Sequence, residues 1–251
     1  MNEQAQSDLL QEHEVLFLDF MGFAAAVQQW DDHRMGELIR VLASIADAQS
    51  AFDVKGESQS DGSYKITSRP EITTFSDHIV ASYPRIAKPS EITIELWEVL
   101  SNGWVGMVRE QMQKITAQVA IAALGLGLLV RGGLSRGKLY HHGRVVVGEA
   151  MVDAYQLESK VARDARVIVS ERISDNDRLF IDTDGKRCLD YIGEMMLLAE
   201  NQQGDARVWA RQSLAEIEAT INALTGSGRT NKAAKWVCFK DKLRYAMETS
   251  S

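Results

Sequence analysis

The chain has 251 residues, 45% of them apolar and 25% charged; this suits one sizeable α/β core or two small ones and is unlike disordered, collagen-like or disulfide-scaffold sequences. Its 28 Lys and Arg against 35 Asp and Glu leave a net charge of -7, which argues against a general polyanion-binding surface and so against nucleic acid as a partner. Cys188 and Cys238 stand far apart and outside any CxxC, which excludes a cysteine-based zinc module and fits a reducing compartment, the cytoplasm.

The first residues, MNEQAQSDLLQEHE, are polar and acidic, lacking the basic and then apolar order of a signal peptide. Val15 to Phe20 (VLFLDF) is almost wholly apolar, as expected of a strand buried on both faces, and Asp19 interrupts it. Met21 and Gly22 turn the chain, and Phe23 to Ser50 carries apolar residues at helical spacing with a break near Asp31 and Asp32. Between Ala51 and Asp77, the residues Gly56, Gly62 and Pro70 separate β-favouring stretches, which predicts a hairpin whose second arm is Glu71 to Phe75. Pro84 and Pro89 mark a loop. Ile92 to Leu124 follows as a helix with Met107, Met112, Ile115, Val119 and Ala122 on one stripe, ended by Gly125 and Gly127. The longest apolar run, Val119 to Val130, falls short of the roughly 20 residues a spanning helix needs, so no membrane is expected.

Leu128 to Ser135 and Lys138 to Val147 read as two strands, Glu149 to Ala162 as an amphipathic helix, and Arg166 to Val169 as a further strand. Leu179 to Asp190 reads as a hairpin turning at Asp182 to Lys186, and beyond Tyr191 the chain is helical with breaks at Gln203-Gly204 and Gly226 to Arg229. The simplest organisation is one α+β core over residues 1–190 with a C-terminal helical extension, 191–251, packed on it.

Asp19 and Asp77 each end a strand-like apolar run, where an ionised carboxylate is costly unless a cation or hydrogen-bond donors face it. If the two strands are neighbours, the pair suits divalent cations shared with substrate phosphates. The alternative is that each aspartate caps the helix that follows. Gly133 to Gly137 (GLSRG) matches the G-x-S-x-G string, but strand-like sequence follows Ser135 where a nucleophile elbow needs a helix. His141 and His142, adjacent on a strand, point to opposite faces and do not readily share a metal. Arg131, Arg136, Lys138 and Arg144 gather around the glycines and are candidates to face triphosphate oxygens, or else a solvated hairpin. The Lys-rich stretch around Trp236 and Phe239 reads as a packed amphipathic helix.

Taken together, FLDFMGF at Phe17 to Phe23, TTFSD at Thr73 to Asp77, RGGLSRGKLY at Arg131 to Tyr140 and VGEAMVDAYQLES at Val147 to Ser159 resemble the class III nucleotide cyclases over about Val15 to Ile173. The resemblance implies a mainly antiparallel sheet with flanking helices. It also implies two divalent ions, Mn²⁺ or Mg²⁺, on Asp19 and Asp77 with the Phe20 carbonyl as a further ligand, and a head-to-tail homodimer with shared active sites. Where purine-specific members carry a lysine and an acidic base reader, this chain has Thr73 and Val145. Where they carry the transition-state asparagine and arginine, it has Val152 and Gln156. The pattern looks most like the bacterial pyrimidine nucleotide cyclases of antiphage signalling, which make cyclic UMP or cyclic CMP for a separate effector protein that they do not themselves bind. The expected function is therefore conversion of UTP to 3′,5′-cyclic UMP and pyrophosphate, the alternatives being a cytidylate cyclase or a catalytically silent cyclase-like domain. Substrate-facing candidates are Phe17, Thr73, Phe75, Arg131, Arg136 and Lys138, with Tyr64 or Arg69 as other possible base readers.

Overall fold

A computed structural model describes residues 10–57, 65–85, 94–173 and 179–249. The first strand, β1 (Gln11–Met21), is longer than its apolar run and is buried on both faces from His13 to Phe20. Gly22, at φ 92°, then makes a turn that a side chain would strain, and the chain enters α1 (Phe23–Val27) and α2 (Asp32–Asp47). The break between them has a local cause: the Asp31 carboxylate accepts the Arg34 amide and starts α2 afresh. After a 3-10 turn (Ala48–Phe52) come β2 (Val54–Glu57), β3 (Lys65–Ser68), β4 (Glu71–Phe75) and β5 (His78–Pro84). The single predicted hairpin is in fact two, since β2 pairs with β3 in a sheet of its own and β4 pairs with β5.

The long helix α3 is described over Ile94–Gly125, its expected first residues lying outside the described ones. The two strands expected next are one 14-residue strand, β6 (Leu129–His142), followed by the short β7 (Val145–Gly148). The paired glycines inside β6 serve close packing. A Cβ on Gly133 would overlap the Ala154 carbonyl oxygen of the helix passing over it, and one on Gly132 would meet the Phe17 carbonyl oxygen. That helix is α4 (Glu149–Gln156), and it ends in a π turn, Leu157–Val161. Next are β8 (Val167–Val169), the hairpin β9 (Leu179–Ile181) and β10 (Arg187–Leu189), and the helices α5 (Tyr191–Gln203), α6 (Ala206–Gly226) and α7 (Thr230–Thr249).

The main sheet runs β4-β5-β1-β6-β8-β10-β9, with β7 on the end of β6, and among the described pairs only β6-β8 is parallel. The fold is thus α+β, a mainly antiparallel sheet with flanking helices. Leu16, Leu18 and Phe20 face the larger core, shared with Leu38 and Ile45 of α2 and Met112, Ile115 and Val119 of α3. Val15 and Phe17 face the other way, against Val80, Leu139, Ala150 and Ala154 under α4. Residues 191–249 share the larger core through Met195, Trp209, Ile217, Trp236 and Phe239, and no helix among the described residues is long and apolar enough to cross a membrane.

Candidate metal and nucleotide site

Alternation along β1 puts Asp19 on the same face as Val15 and Phe17, at the strand's C-terminal end. The Ser76–Asp77 turn joining β4 to β5 lies beside it, Ser76 in the left-handed region at φ 55°, and the Phe20 amide donates to the Asp77 carbonyl at 3.2 Å. Neither aspartate caps a helix. Asp19 is paired in register with His78 on one side and Arg131 on the other. Ligating atoms of Asp19, Asp77 and His78 all lie within 4.8 Å of one another. Two carboxylates and an imidazole, close enough to share one ion, form a donor set that fits a divalent cation.

Arg131 Nε donates to Asp19 Oδ2 at 2.9 Å and lies 2.6 Å from Glu158 Oε1, while its Nη1 reaches the Ala162 carbonyl at 3.4 Å. Glu158 is 2% exposed. It sits in the π turn, whose extra residue changes the helix phase, and π turns recur at functional sites. Burial lifts its pKa to about 7; Arg131 opposes this, and the neighbouring Asp19 carboxylate adds to it.

Rings form a continuous row beside these charges. Phe75 stacks on His78 at 5.2 Å, His78 meets Phe17 at 5.1 Å, and Phe17 meets Tyr155 of α4 edge-on at 5.6 Å. Phe75 and Tyr155, at the two ends, are about half exposed, whereas Phe17 is buried. The side chain of Phe17 therefore supports the site from below and does not present a surface to a ligand.

The remaining candidates are placed differently. Thr73 is buried, and its hydroxyl donates to the Gly143 carbonyl while bonding His141 Nε2 at 2.9 Å, so the expected free hydroxyl beside a base is corrected to an internally satisfied one. Arg136 pairs with Glu14 on the opposite face of the sheet from Asp19, because β6 continues without a break and residues 131 and 136 differ in parity. Lys138 also lies on that face and is exposed; at about 3.4 Å per residue it is roughly 24 Å along the strand from Arg131. Within one subunit neither joins the acidic end. Arg69 is held by Asp53 at 2.9 Å, and Tyr64 lies outside the described residues. Val145, Val152 and Gln156 are exposed. Ser135 lies buried mid-strand and donates to Asp153, which also rules out an exposed nucleophile there.

Sequence reasoning missed His78 and Glu158. The histidine had a readable signal, an imidazole directly after a candidate metal aspartate. The glutamate had none, because its position depends on a π turn.

No protein-family model matches the chain, and no curated protein does. Among solved structures the chain is similar to the guanylate cyclase domain of RhGC from Catenaria anguillulae in complex with GTP, at 14% identity and TM-score 0.38, covering 71% of this chain and 93% of that one. It is also similar to the guanylyl cyclase Cya2, at 15% identity and TM-score 0.36, covering 72% and 89%. A third is the guanylyl cyclase domain of the RhoGC fusion protein from Blastocladiella emersonii, at 12% and 0.38, covering 71% and 93%. Superpositions this loose transfer neither a substrate nor a residue's role to this chain.

Proposed function

We propose that the chain is a metal-dependent nucleotide cyclase of the class III type, converting a pyrimidine ribonucleoside triphosphate, UTP before CTP, to its 3′,5′-cyclic monophosphate and pyrophosphate. The observation that carries this reading is the convergence of Asp19 and Asp77, from a strand end and a neighbouring turn, with ligating atoms close enough to share an ion. Two divalent ions bound there, Mn²⁺ or Mg²⁺, with the Phe20 carbonyl as a further ligand, would reduce charge on the ribose 3′ oxygen and on the departing pyrophosphate. Arg131, held at the same end of the sheet by Asp19 and Glu158, would meet phosphate oxygens in this reading. The half-exposed rings of Phe75 and Tyr155 offer faces for a base or for a second copy of the chain.

The pyrimidine preference rests on the sequence resemblance and on Thr73 and Val145, neither of which supplies the charged group that reads a purine in the related enzymes. A homodimer with shared sites, and a cyclic product acting as a second messenger for a separate effector in antiphage defence, belong to the same reading. Incubation with equimolar ATP, GTP, CTP and UTP and Mn²⁺, followed by mass analysis, tests it. Cyclic UMP is expected to lead, and a product pool dominated by cyclic AMP or cyclic GMP would refute the pyrimidine assignment. A second reading, a catalytically silent cyclase-like binding domain, is favoured by the exposed Val152 and Gln156 on α4, and absence of any cyclic product from the dimer would select it.

A further inference from the structure

We propose that His78 is a nitrogen ligand that tunes the acidic site toward Mn²⁺ and away from Mg²⁺. The proposal rests on the reading of Asp19 and Asp77 as metal carboxylates and assigns a discriminating role to a third side chain. His78 opens β5 directly opposite Asp19 in the β1-β5 register. Its Nε2 lies 3.5 Å from Asp19 Oδ1 and its Nδ1 3.2 Å from Asp77 Oδ1, so both ring nitrogens face carboxylates. Arg131 takes Asp19 Oδ2, the other oxygen, which leaves Oδ1 as the one turned to the imidazole.

Two features mark this ring as more than a neighbour. It packs against Phe17 and stacks on Phe75 at an interplanar angle of 26°, contacts that restrict its rotation and hold the nitrogens toward the aspartates. Nδ1 is also shut off from solvent and makes no hydrogen bond, because Asp77 Oδ1 is near it but out of line. A buried polar atom left unbonded costs free energy, and a ligated ion or a realigned hydrogen bond would recover that cost. Metal-bound histidines usually direct their second ring nitrogen to a carboxylate, and whichever nitrogen of His78 takes the ion, the other faces an aspartate.

The selectivity follows from donor chemistry. Mg²⁺ is small and hard, takes oxygen ligands in a near-ideal octahedron and gives up water reluctantly. Mn²⁺ shares the preference for oxygen but belongs to the first-row series in which nitrogen donors add affinity, so a mixed nitrogen and carboxylate set favours it over Mg²⁺. An all-oxygen site built on the two aspartates alone would lack that bias.

The test uses the full chain and reads metal binding directly. Mn²⁺ affinity is measured from the free-ion electron paramagnetic resonance signal, Mg²⁺ affinity by competition against Mn²⁺, and nitrogen ligation by electron spin echo modulation of bound Mn²⁺. His78→Phe keeps a ring against Phe17 and Phe75 while removing both nitrogens, and His78→Asn offers an oxygen in their place. The wild type is expected to show nitrogen modulation that both variants lose. Mn²⁺ binding should weaken about tenfold in His78→Phe, with Mg²⁺ binding changed by less than about twofold. Carboxylate-dependent Mn²⁺ binding without nitrogen modulation, or equal weakening for both ions, would overturn the assignment of His78 and leave the carboxylate site standing. Absence of saturable Mn²⁺ binding, or binding that survives Asp19→Asn and Asp77→Asn, would instead overturn the carboxylate site itself. Should His78→Phe lose its circular dichroism signature, the wild-type modulation and its loss in His78→Asn decide the matter.

Discussion

Two buried ionic clusters lie side by side at one end of the sheet, Arg131 reaching the Ala162 carbonyl and Arg166 the Val161 carbonyl, and they are balanced differently. At the β8-β9-α7 corner, Arg166 contacts Asp164, Asp182 and Asp184, and Lys242 donates to Asp182 at 2.8 Å, two bases against three acids of which Asp184 is half exposed. At the end of β1, Asp19, Asp77 and Glu158 face a single guanidinium, Arg131, and the imidazole of His78. The titration shifts express the contrast. Burial raises the pKa of Asp182, but hydrogen bonds from Lys242 and the Thr183 amide reverse that and bring it down to about 2. At Glu158 burial and the Asp19 charge together outweigh Arg131 and leave it up at about 7. One cluster comes closer to balance, with two bases for three acids, and holds a hairpin against a helix; the other sets three acids against one permanent cation, an excess of negative charge that a bound cation would relieve.

The largest expected effect separates the two. Asp19→Ala and Asp77→Ala should each lower cyclase turnover by at least about a thousandfold, roughly 4 kcal/mol of barrier, while circular dichroism and the thermal midpoint stay near wild type. Near wild-type turnover with Mn²⁺ in either variant would remove the metal assignment. Asp182→Ala should do the reverse: it takes the carboxylate partner from Lys242 and leaves the buried Arg166 with Asp164 and Asp184 alone, and should cost about 3 kcal/mol in urea unfolding. Its Mn²⁺ affinity should match the wild type, and a matching loss there would show that the clusters are coupled.

How much of this contrast was readable depended on which scale carried it. The interruption of VLFLDF by an acid is a local anomaly, so Asp19 could be singled out, and the helix breaks were legible because Asp31, Asp190 and Asp205 cap new helices. The triphosphate role for Arg136 and Lys138 was drawn from a cluster in sequence, and parity along an unbroken β6 disperses it. Gly133, inside the expected strand, is the contact point where α4 crosses the sheet, which the sequence did not reveal. Glu158 was hidden for a similar reason, since burial at that position follows from the π turn and from the close approach that Gly133 permits.

A smaller effect comes from the opposite end of β1. Burial holds His13 and His141 down at about 4, so both are neutral in the folded chain near pH 6, whereas in the unfolded chain they titrate near 6.5. The unfolded state thus binds more protons between these values. The histidines' contribution to stability is present above about pH 6.5 and is lost as pH falls toward 4. Thermal midpoints should fall across that window, and His141→Asn should flatten the slope. Glu158, held up at about 7, adds stability as it protonates over the same window and partly offsets that fall, so the outcome that contradicts the buried neutral state is a slope that His141→Asn leaves unchanged.

The smallest effect concerns Thr73, which the proposed function sets where purine-specific class III cyclases carry a lysine. Its single hydroxyl proton goes to the Gly143 carbonyl, so the oxygen must accept from His141 Nε2-H, and His141 Nδ1 then accepts from Ser82 at 2.9 Å. Every polar atom in that chain is used internally, and the neutral tautomer it requires agrees with the depressed histidine pKa. Thr73→Val removes the hydroxyl with little change of shape, leaving the Gly143 carbonyl and the His141 N–H to find other partners, and should cost about 1 kcal/mol in urea unfolding. Because the hydroxyl is fully engaged by the Gly143 carbonyl and His141, the ratio of cyclic UMP to cyclic CMP should be unchanged. A shifted ratio with unchanged stability would place Thr73 in the base pocket. The expected outcome instead leaves base discrimination to groups that reach the half-exposed Phe75 and Tyr155 rings from the solvent side, a role that the proposed homodimer would give to a second copy of the chain.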